Sequence, residues 1–195
     1  MNTLFPVTPE YPPGFRYLPE FITAEEEGFL ISACQQLELN VFRFQGYEAK
    51  RRVASFGQDW NFDTRTLHQG KPIPLAFQPL ISKVAAEARL GPTDFVELLV
   101  THYPAGAVIN WHRDAPPFGL VAGISLLTGC TFRLRPYEKA KQNRTNLLSF
   151  PVTRRSLYLM DGASRTDWQH SISPVANERY SITLRTLQLS HSNII

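Results

Sequence analysis

The strongest constraint on the fold lies in the C-terminal half. Segments 95–103, 121–127, 131–137, 146–150, 156–160 and 179–189 are each short and rich in β-branched or aromatic residues. Turn signals separate them, at Pro104-Ala-Gly106, Thr128-Gly129, Asp161-Gly162 and Ser173-Pro174. Six or more such segments predict an antiparallel β sandwich or barrel.

The first ninety residues read differently. Six breakers within 1–20 (Pro6, Pro9, Pro12, Pro13, Gly14 and Pro19) predict an extended arm lying on the surface or along a sheet edge. Thr23-Ala-Glu-Glu26 is a capping-box pattern opening a helix over 24–38, with Phe29, Leu30, Ala33, Cys34 and Leu37 on its apolar stripe. Two short strands are expected within 41–57, ending at Gly57, and a long loop over 58–74. A second helix over 75–90 shows Phe77, Leu80, Ile81, Val84, Ala85 and Ala88 at helical spacing and stops at Gly91-Pro92. The chain is thus α+β but mainly β, its sheets buttressed on one side by the N-terminal helices.

The 195 residues suit one domain with its own core, over 1–195. No apolar run approaches the roughly 18 residues that would span a bilayer. The N-terminus has neither a basic n-region nor an apolar h-region, and Cys34 and Cys130 sit far apart in apolar contexts. Buried free thiols in a reducing compartment follow, and with them a cytoplasmic location. Charge is unevenly spread: Arg133, Arg135, Lys139, Lys141, Arg144, Arg154 and Arg155 face Glu138 alone within 131–155. A second knot holds Arg43, Lys50, Arg51 and Arg52 against Glu48. Such segregation suits a polyanionic partner, although solvated outer strand faces would also carry it.

His112-x-Asp114 puts an imidazole and a carboxylate on one side of extended backbone. With His170 from a separate strand they make two histidines and a carboxylate, the ligand set of non-heme Fe(II) oxygenases; zinc hydrolases use the same ligand types. In Arg179-Tyr-Ser-Ile-Thr-Leu-Arg185 polar and apolar residues alternate strictly. Arg179, Ser181, Thr183 and Arg185 share one face. The two arginine Cα atoms are roughly 20 Å apart along an extended strand, and inward-leaning side chains would leave a gap of about 7 Å. A small dicarboxylate fits such a gap, and arginine suits bidentate carboxylate recognition.

Taken together, His112-x-Asp114, His170 and Arg179-x-Ser-x-Thr-x-Arg185 resemble the AlkB family of Fe(II)/2-oxoglutarate-dependent dioxygenases. Tyr103-x-x-Gly106, Gly123-Ile-Ser-Leu and Ser156 to Arg165 support the likeness, which covers about 95 to 187 with a looser echo at 51–57. The resemblance implies a double-stranded β-helix (jelly roll) core over 93–189. It implies Fe(II) on His112, Asp114 and His170, with 2-oxoglutarate and O2 as cosubstrates. Arg179 would pair with the distal carboxylate of 2-oxoglutarate, helped by Tyr103, and Arg185 would lie near the carboxylate at the metal. Thr101 and Ser181 stand where many or some members carry Asn, so differently tuned cosubstrate binding is expected; Thr183 completes this face.

Family members oxidise N-alkyl groups on nucleobases and release formaldehyde, with succinate and CO2 from the cosubstrate. The expected partner is therefore alkylated DNA or RNA, single-stranded or with its target base flipped out. Region 41–74 would be a nucleotide-recognition lid. Arg51, Phe56, Arg165 and Trp168 are the expected substrate-binding residues, with Phe56, Trp168 or the His112 ring stacking on the base and arginines on phosphates. His68, His102 and His191 are read as structural or surface residues, and the protein as a monomer without a membrane segment. Two other readings stand beside this one: an iron/2-oxoglutarate enzyme acting on a protein or small molecule, and a non-catalytic nucleic-acid-binding module.

Overall fold

A computed structural model of the chain describes residues 10–44 and 46–188, without the side chains of residues 43, 44 and 47. His191, the first nine residues of the expected arm, the end of the expected last strand and the Arg43 side chain lie outside the described residues. In chain order the elements are β1 Phe15–Leu18, α1 Ala24–Gln35, β2 Asn40–Phe44, β3 Tyr47–Asn61, β4 Thr66–Gln69, α2 Gln78–Ala88, β5 Phe95–Tyr103 and β6 Ile109–His112. There follow β7 Phe118–Leu126, β8 Cys130–Pro136, β9 Leu148–Val152, β10 Leu157–Met160, α3 Gly162–Thr166, β11 Trp168–Ile172 and β12 Arg179–Leu187.

The strands form two antiparallel sheets. The larger has the order β1-β10-β7-β12-β5-β3-β2, with β4 paired to β3, and the smaller the order β6-β11-β8-β9. Phe132, Leu134, Phe150 and Ile172 of the smaller sheet meet Val121, Tyr158 and Met160 of the larger in one buried cluster. A second cluster lies behind the larger sheet. There Leu30 and Cys34 of α1 and Leu80, Ile81 and Val84 of α2 cover Ala54, Phe56, Leu98, Val100, Ile182 and Leu184. This is the expected mainly β jelly roll with helices on one side.

Several local expectations need correction. The stretch read as a loop over 58–74 contains a hairpin, because β3 continues to Asn61 and pairs with β4 in the register Gln58↔Gln69 to Asn61↔Thr66. Gly57 is a kink within that strand rather than its end. Its φ is +82°, and a Cβ there would lie 2.0 Å from the Val96 carbonyl oxygen. Helix α1 opens with the predicted capping box, Thr23 Oγ1 accepting from the Glu26 amide and Glu26 from the Thr23 amide. Its stripe is rotated from the one read in the sequence: Phe29 is exposed, while Glu27 is 1% exposed. Glu27 accepts from both the Arg154 guanidinium and the Leu127 amide, bracing α1 on the ends of β7 and β9. Helix α2 ends in a left-handed Arg89, before the Gly91-Pro92 taken as its stop.

The basic run at 131–155 is also less open than it read. Arg154 pairs with Glu27, Arg155 with Glu20 and Lys141 with Glu138. Cys34 is buried and Cys130 half-buried, and both are free thiols. Burial pushes the Cys34 thiol up to about 12. No helix among the described residues is long and apolar enough to cross a membrane.

Candidate metal centre

Two short strands carry the cluster, and neither was recognised in the sequence. β6 and β11 pair antiparallel with His112 directly opposite His170, and the ladder continues to β8 through His170↔Leu134. Leu134 is fully buried between the sheets, so His170 points the same way. Asp114, two residues past His112, follows it inward. The three residues bring one ligand atom each to within 4.8 Å of one another. The imidazole rings of His112 and His170 are 4.2 Å apart, and the His170 ring stacks on Phe132 at 5.5 Å and 8°.

The hydrogen bonds select the atoms that face the gap. His112 Nδ1 lies 2.9 Å from the Asn110 carbonyl oxygen, which fixes a proton on Nδ1 and leaves Nε2 as an electron-pair donor. Asp114 Oδ1 accepts from Arg185 at 2.7 Å. Its Oδ2 is buried, has no hydrogen-bond partner and lies 3.6 Å from His170 Nε2. A buried carboxylate oxygen without a donor is costly unless something cationic meets it.

The electrostatics point the same way. Burial alone would raise the Asp114 carboxyl, but Arg185, His170 and His112 outweigh it and hold it below the usual carboxylate range. Burial, then the neighbouring His112, pushes His170 down to about 3; burial lowers His112 against the pull of Asp114. An anionic carboxylate beside two neutral imidazoles is the state a divalent metal requires. The donor set and the orphaned oxygen fit Fe(II).

The inward face of the larger sheet completes the site. β12 pairs with β5 so that Arg179 opposes Tyr103, Ser181 opposes Thr101, Thr183 opposes Leu99 and Arg185 opposes Glu97. On its other side Ser181 opposes Ser125 and Thr183 opposes Gly123 of β7. Thr101, Tyr103, Arg179, Ser181 and Thr183 are all buried, so the polar face of β12 is not turned to water. Arg179 Nε donates to Ser125 Oγ at 3.0 Å, and its guanidinium lies 4.8 Å from the Tyr103 ring centroid. Its Nη1 is buried without a partner. The Tyr103 and Ser181 hydroxyls share a hydrogen bond of 3.2 Å.

Arg185 behaves differently from its twin. It donates to Glu97 Oε2 at 2.6 Å and to Asp114 Oδ1 at 2.7 Å. The two arginines of the expected clamp therefore differ in their partners within the chain. Arg185 does sit beside the metal cluster, but its charge is committed to two carboxylates of the chain, whereas Arg179 has a terminal nitrogen to offer.

Of the expected substrate residues, two lie where substrate cannot meet them. Phe56 opposes Leu98 across the sheet and is buried in the helix-side core; with a side-chain period of two it faces away from the metal cluster. Arg165 is also buried, donating through Nη2 to the Ala115 and Phe118 carbonyl oxygens at 2.6 and 3.1 Å. It pins the turn after Asp114 instead of reaching solvent. Trp168 is half-buried on the same face of β11 as His170, at the margin of the cluster between the sheets. Arg51 stacks on Phe42 at 4.0 Å and points Nη1 at the Val108 carbonyl, 3.5 Å away. Its charge reaches His112. His68 and His102 are engaged elsewhere, by the Asp59 carbonyl and by Glu178.

Two residues here escaped the sequence reading. Glu97 is 3% exposed and orients Arg185; its parity with Thr101 and Tyr103 along 95–103 was the available signal. Tyr158 crosses over Gly123, where a Cβ would lie 2.2 Å from the phenol ring. The charges of Asp114, Tyr103, Arg179 and Arg185 all act on its hydroxyl, and burial chiefly, with Asp114, raises its pKa. It stays a neutral donor facing the cluster.

The sequence profile described as "2OG-Fe(II) oxygenase superfamily" matches residues 14–188. The chain is 28% identical over 84% of its length to the mouse tRNA (carboxymethyluridine(34)-5-O)-methyltransferase ALKBH8, of which this covers 24%. It is 24% identical over 82% of its length to the Arabidopsis thaliana alkylated DNA repair protein ALKBH8 homolog, of which this covers 51%. It thus spans a quarter to a half of these curated relatives. The fold matches the structure of OsALKBH1 with a TM-score of 0.71 and 17% identity, over 90% of this chain and 98% of that one. The chain belongs to the 2OG-Fe(II) oxygenase superfamily, whose chemistry uses Fe(II), 2-oxoglutarate and O2, and it is similar to AlkB homologues.

Proposed function

We propose that the protein demethylates N-alkylated bases of DNA or RNA by oxidation, releasing formaldehyde, succinate and CO2. The observation that carries this reading is the unpartnered Asp114 Oδ2 facing two neutral imidazoles. It occurs in a chain similar to an alkylated DNA repair protein homolog and to a tRNA-modifying ALKBH8. His112 Nε2, Asp114 Oδ2 and His170 Nε2 would hold the iron. When bound with 2-oxoglutarate and O2, the metal supplies the oxidising chemistry that hydroxylates the alkyl carbon.

The chain's own residues set the geometry. Arg179, with Nε fixed by Ser125 and Nη1 open, would take the far carboxylate of 2-oxoglutarate, with Tyr103 and Ser181 closing the same end. Thr101 and Thr183 line the face between. Arg185, held by Glu97, keeps Asp114 anionic and turns its free oxygen toward the histidines. Phe132 packs on the His170 ring and on Tyr158, and the pair would shield that side of the cluster from water. A base within a duplex cannot reach so buried a cluster, so the target is single-stranded or flipped. Arg51, whose charge acts on His112, and Trp168, on the His170 face of β11, would meet such a base.

The test is succinate and formaldehyde release from 2-oxoglutarate with Fe(II) and O2, using matched methylated and unmethylated DNA and RNA oligonucleotides. Methylated strands are expected to stimulate both products in equal amounts, and the DNA-to-RNA ratio identifies the substrate class. Turnover that no methylated nucleic acid stimulates would remove the reading and favour a protein or small-molecule substrate.

A further inference from the structure

The smaller sheet has a second face, opposite the metal ligands. Because side chains alternate, Trp111 and Arg113 point outward where His112 and Asp114 point inward. On β8, Arg133 and Arg135 alternate in the same way with buried Phe132 and Leu134. The Arg135 guanidinium lies 4.4 Å from the Trp111 ring centroid and that of Arg133 5.0 Å. Both are fixed in plane, Arg133 Nε donating to Ser171 Oγ at 3.0 Å and Arg135 Nε to Gln169 Oε1 at 2.9 Å. One step further along, Arg113 stacks on Tyr137 at 3.6 Å while donating to the Thr166 carbonyl.

This is not a typical solvated sheet face. Such faces usually mix signs across neighbouring strands, since like charges side by side repel. Arg154, Arg155 and Lys141 follow that rule, each with a carboxylate partner. Among the described residues Arg113, Arg133 and Arg135 have no ion-pair partner. Three oriented guanidiniums with their Nε or one Nη engaged still present other terminal nitrogens outward, in the fork that suits phosphate oxygens.

We propose that this outer face binds the sugar–phosphate backbone of a single-stranded nucleic acid, holding the segment that flanks the base being oxidised. The assignment rests on the nucleic-acid reading above. Its place in the sheet supports it, because β6 is an edge strand. A strand folding around that edge at Trp111 passes from the arginine face to the side of His112 and Asp114. Trp111 acts as a positioning residue that keeps the guanidinium planes in place.

The experiment measures binding of a fluorescein-labelled, unmodified single-stranded oligonucleotide to the full chain by anisotropy, across a salt series. Arg133→Gln/Arg135→Gln is expected to weaken binding about tenfold or more, and to make the slope of log K against log salt shallower by about 1.4, roughly 0.7 for each phosphate no longer neutralised. Arg133→Lys/Arg135→Lys, which keeps the charge, should retain the salt slope. Thermal unfolding and calorimetric 2-oxoglutarate affinity check that the Gln variant is folded. Unchanged affinity and slope in a folded Gln variant would overturn the proposal. If the variant loses oligonucleotide binding although no methylated strand is oxidised, the surface stands and the reaction reading falls. Oxidation of methylated strands by the Gln variant with unaltered KM would leave the reaction standing and remove the surface.

Discussion

The two faces of β12 do opposite work from one nine-residue strand. Tyr180, Ile182 and Leu184 are packed into the helix-side core, against α1, α2 and their neighbours on β5 and β7. Arg179, Ser181, Thr183 and Arg185 are also withdrawn from water, but among carboxylates, hydroxyls and the metal cluster. The helix-side cluster is built almost wholly of apolar side chains, whereas the inward face leaves Asp114 Oδ2 and Arg179 Nη1 unsatisfied. Unsatisfied buried groups cost stability, so this face is built for ligands and the other for folding. Removing groups from the first should cost function, and removing them from the second should cost stability.

The largest effect expected from breaking that division is at Asp114. Asp114→Ala removes the only carboxylate of the metal cluster, and turnover of 2-oxoglutarate should fall below detection in a succinate assay. Retained turnover would place the metal elsewhere. On the opposite face, Phe56→Ala should cost about 3–5 kcal/mol of unfolding free energy by denaturant titration. Substrate KM at a temperature where the variant is folded should not move; a KM that rose with stability intact would return Phe56 to the substrate. Glu97→Gln should lower stability, since it breaks a buried ion pair, and in the folded variant weaken metal binding by roughly 10–100-fold by calorimetry, because Arg185 and through it Asp114 lose their orientation. The smallest effect is far from both faces: Thr23→Ala removes the α1 cap and should cost about 1 kcal/mol, with metal affinity intact.

The same period of two explains what was legible in the sequence. Strict alternation over 179–185 displayed the face shared by Arg179 and Arg185, and β5 was read to the residue as 95–103. His112-x-Asp114 and His170 were visible as residue types, and the structure brings them together. The strands that carry the histidines were not visible, because Ile-Asn-Trp-His and Trp-Gln-His-Ser-Ile hold too few branched residues to announce a strand. Phe56 was misplaced for want of a register: its partner Leu98 decides the face, and that pairing is long-range. The burial of Glu27 was not legible, because nothing local reveals Arg154, 127 positions away. The reading of 131–155 as open positive charge holds for Arg133 and Arg135 but not for Arg154 and Arg155, whose partners Glu27 and Glu20 lie far off in α1 and the N-terminal arm.

The central claim is that the inward face of β12 binds 2-oxoglutarate through Arg179 beside a metal held by His112, Asp114 and His170. Calorimetry of 2-oxoglutarate binding to the Fe(II)-loaded protein without oxygen, for the native chain and for Arg179→Gln, addresses it directly. Loss of a charge-assisted pair predicts affinity weaker by about 1.5–3 kcal/mol, roughly 10- to 150-fold. Equal affinity in a folded Arg179→Gln protein would contradict the account.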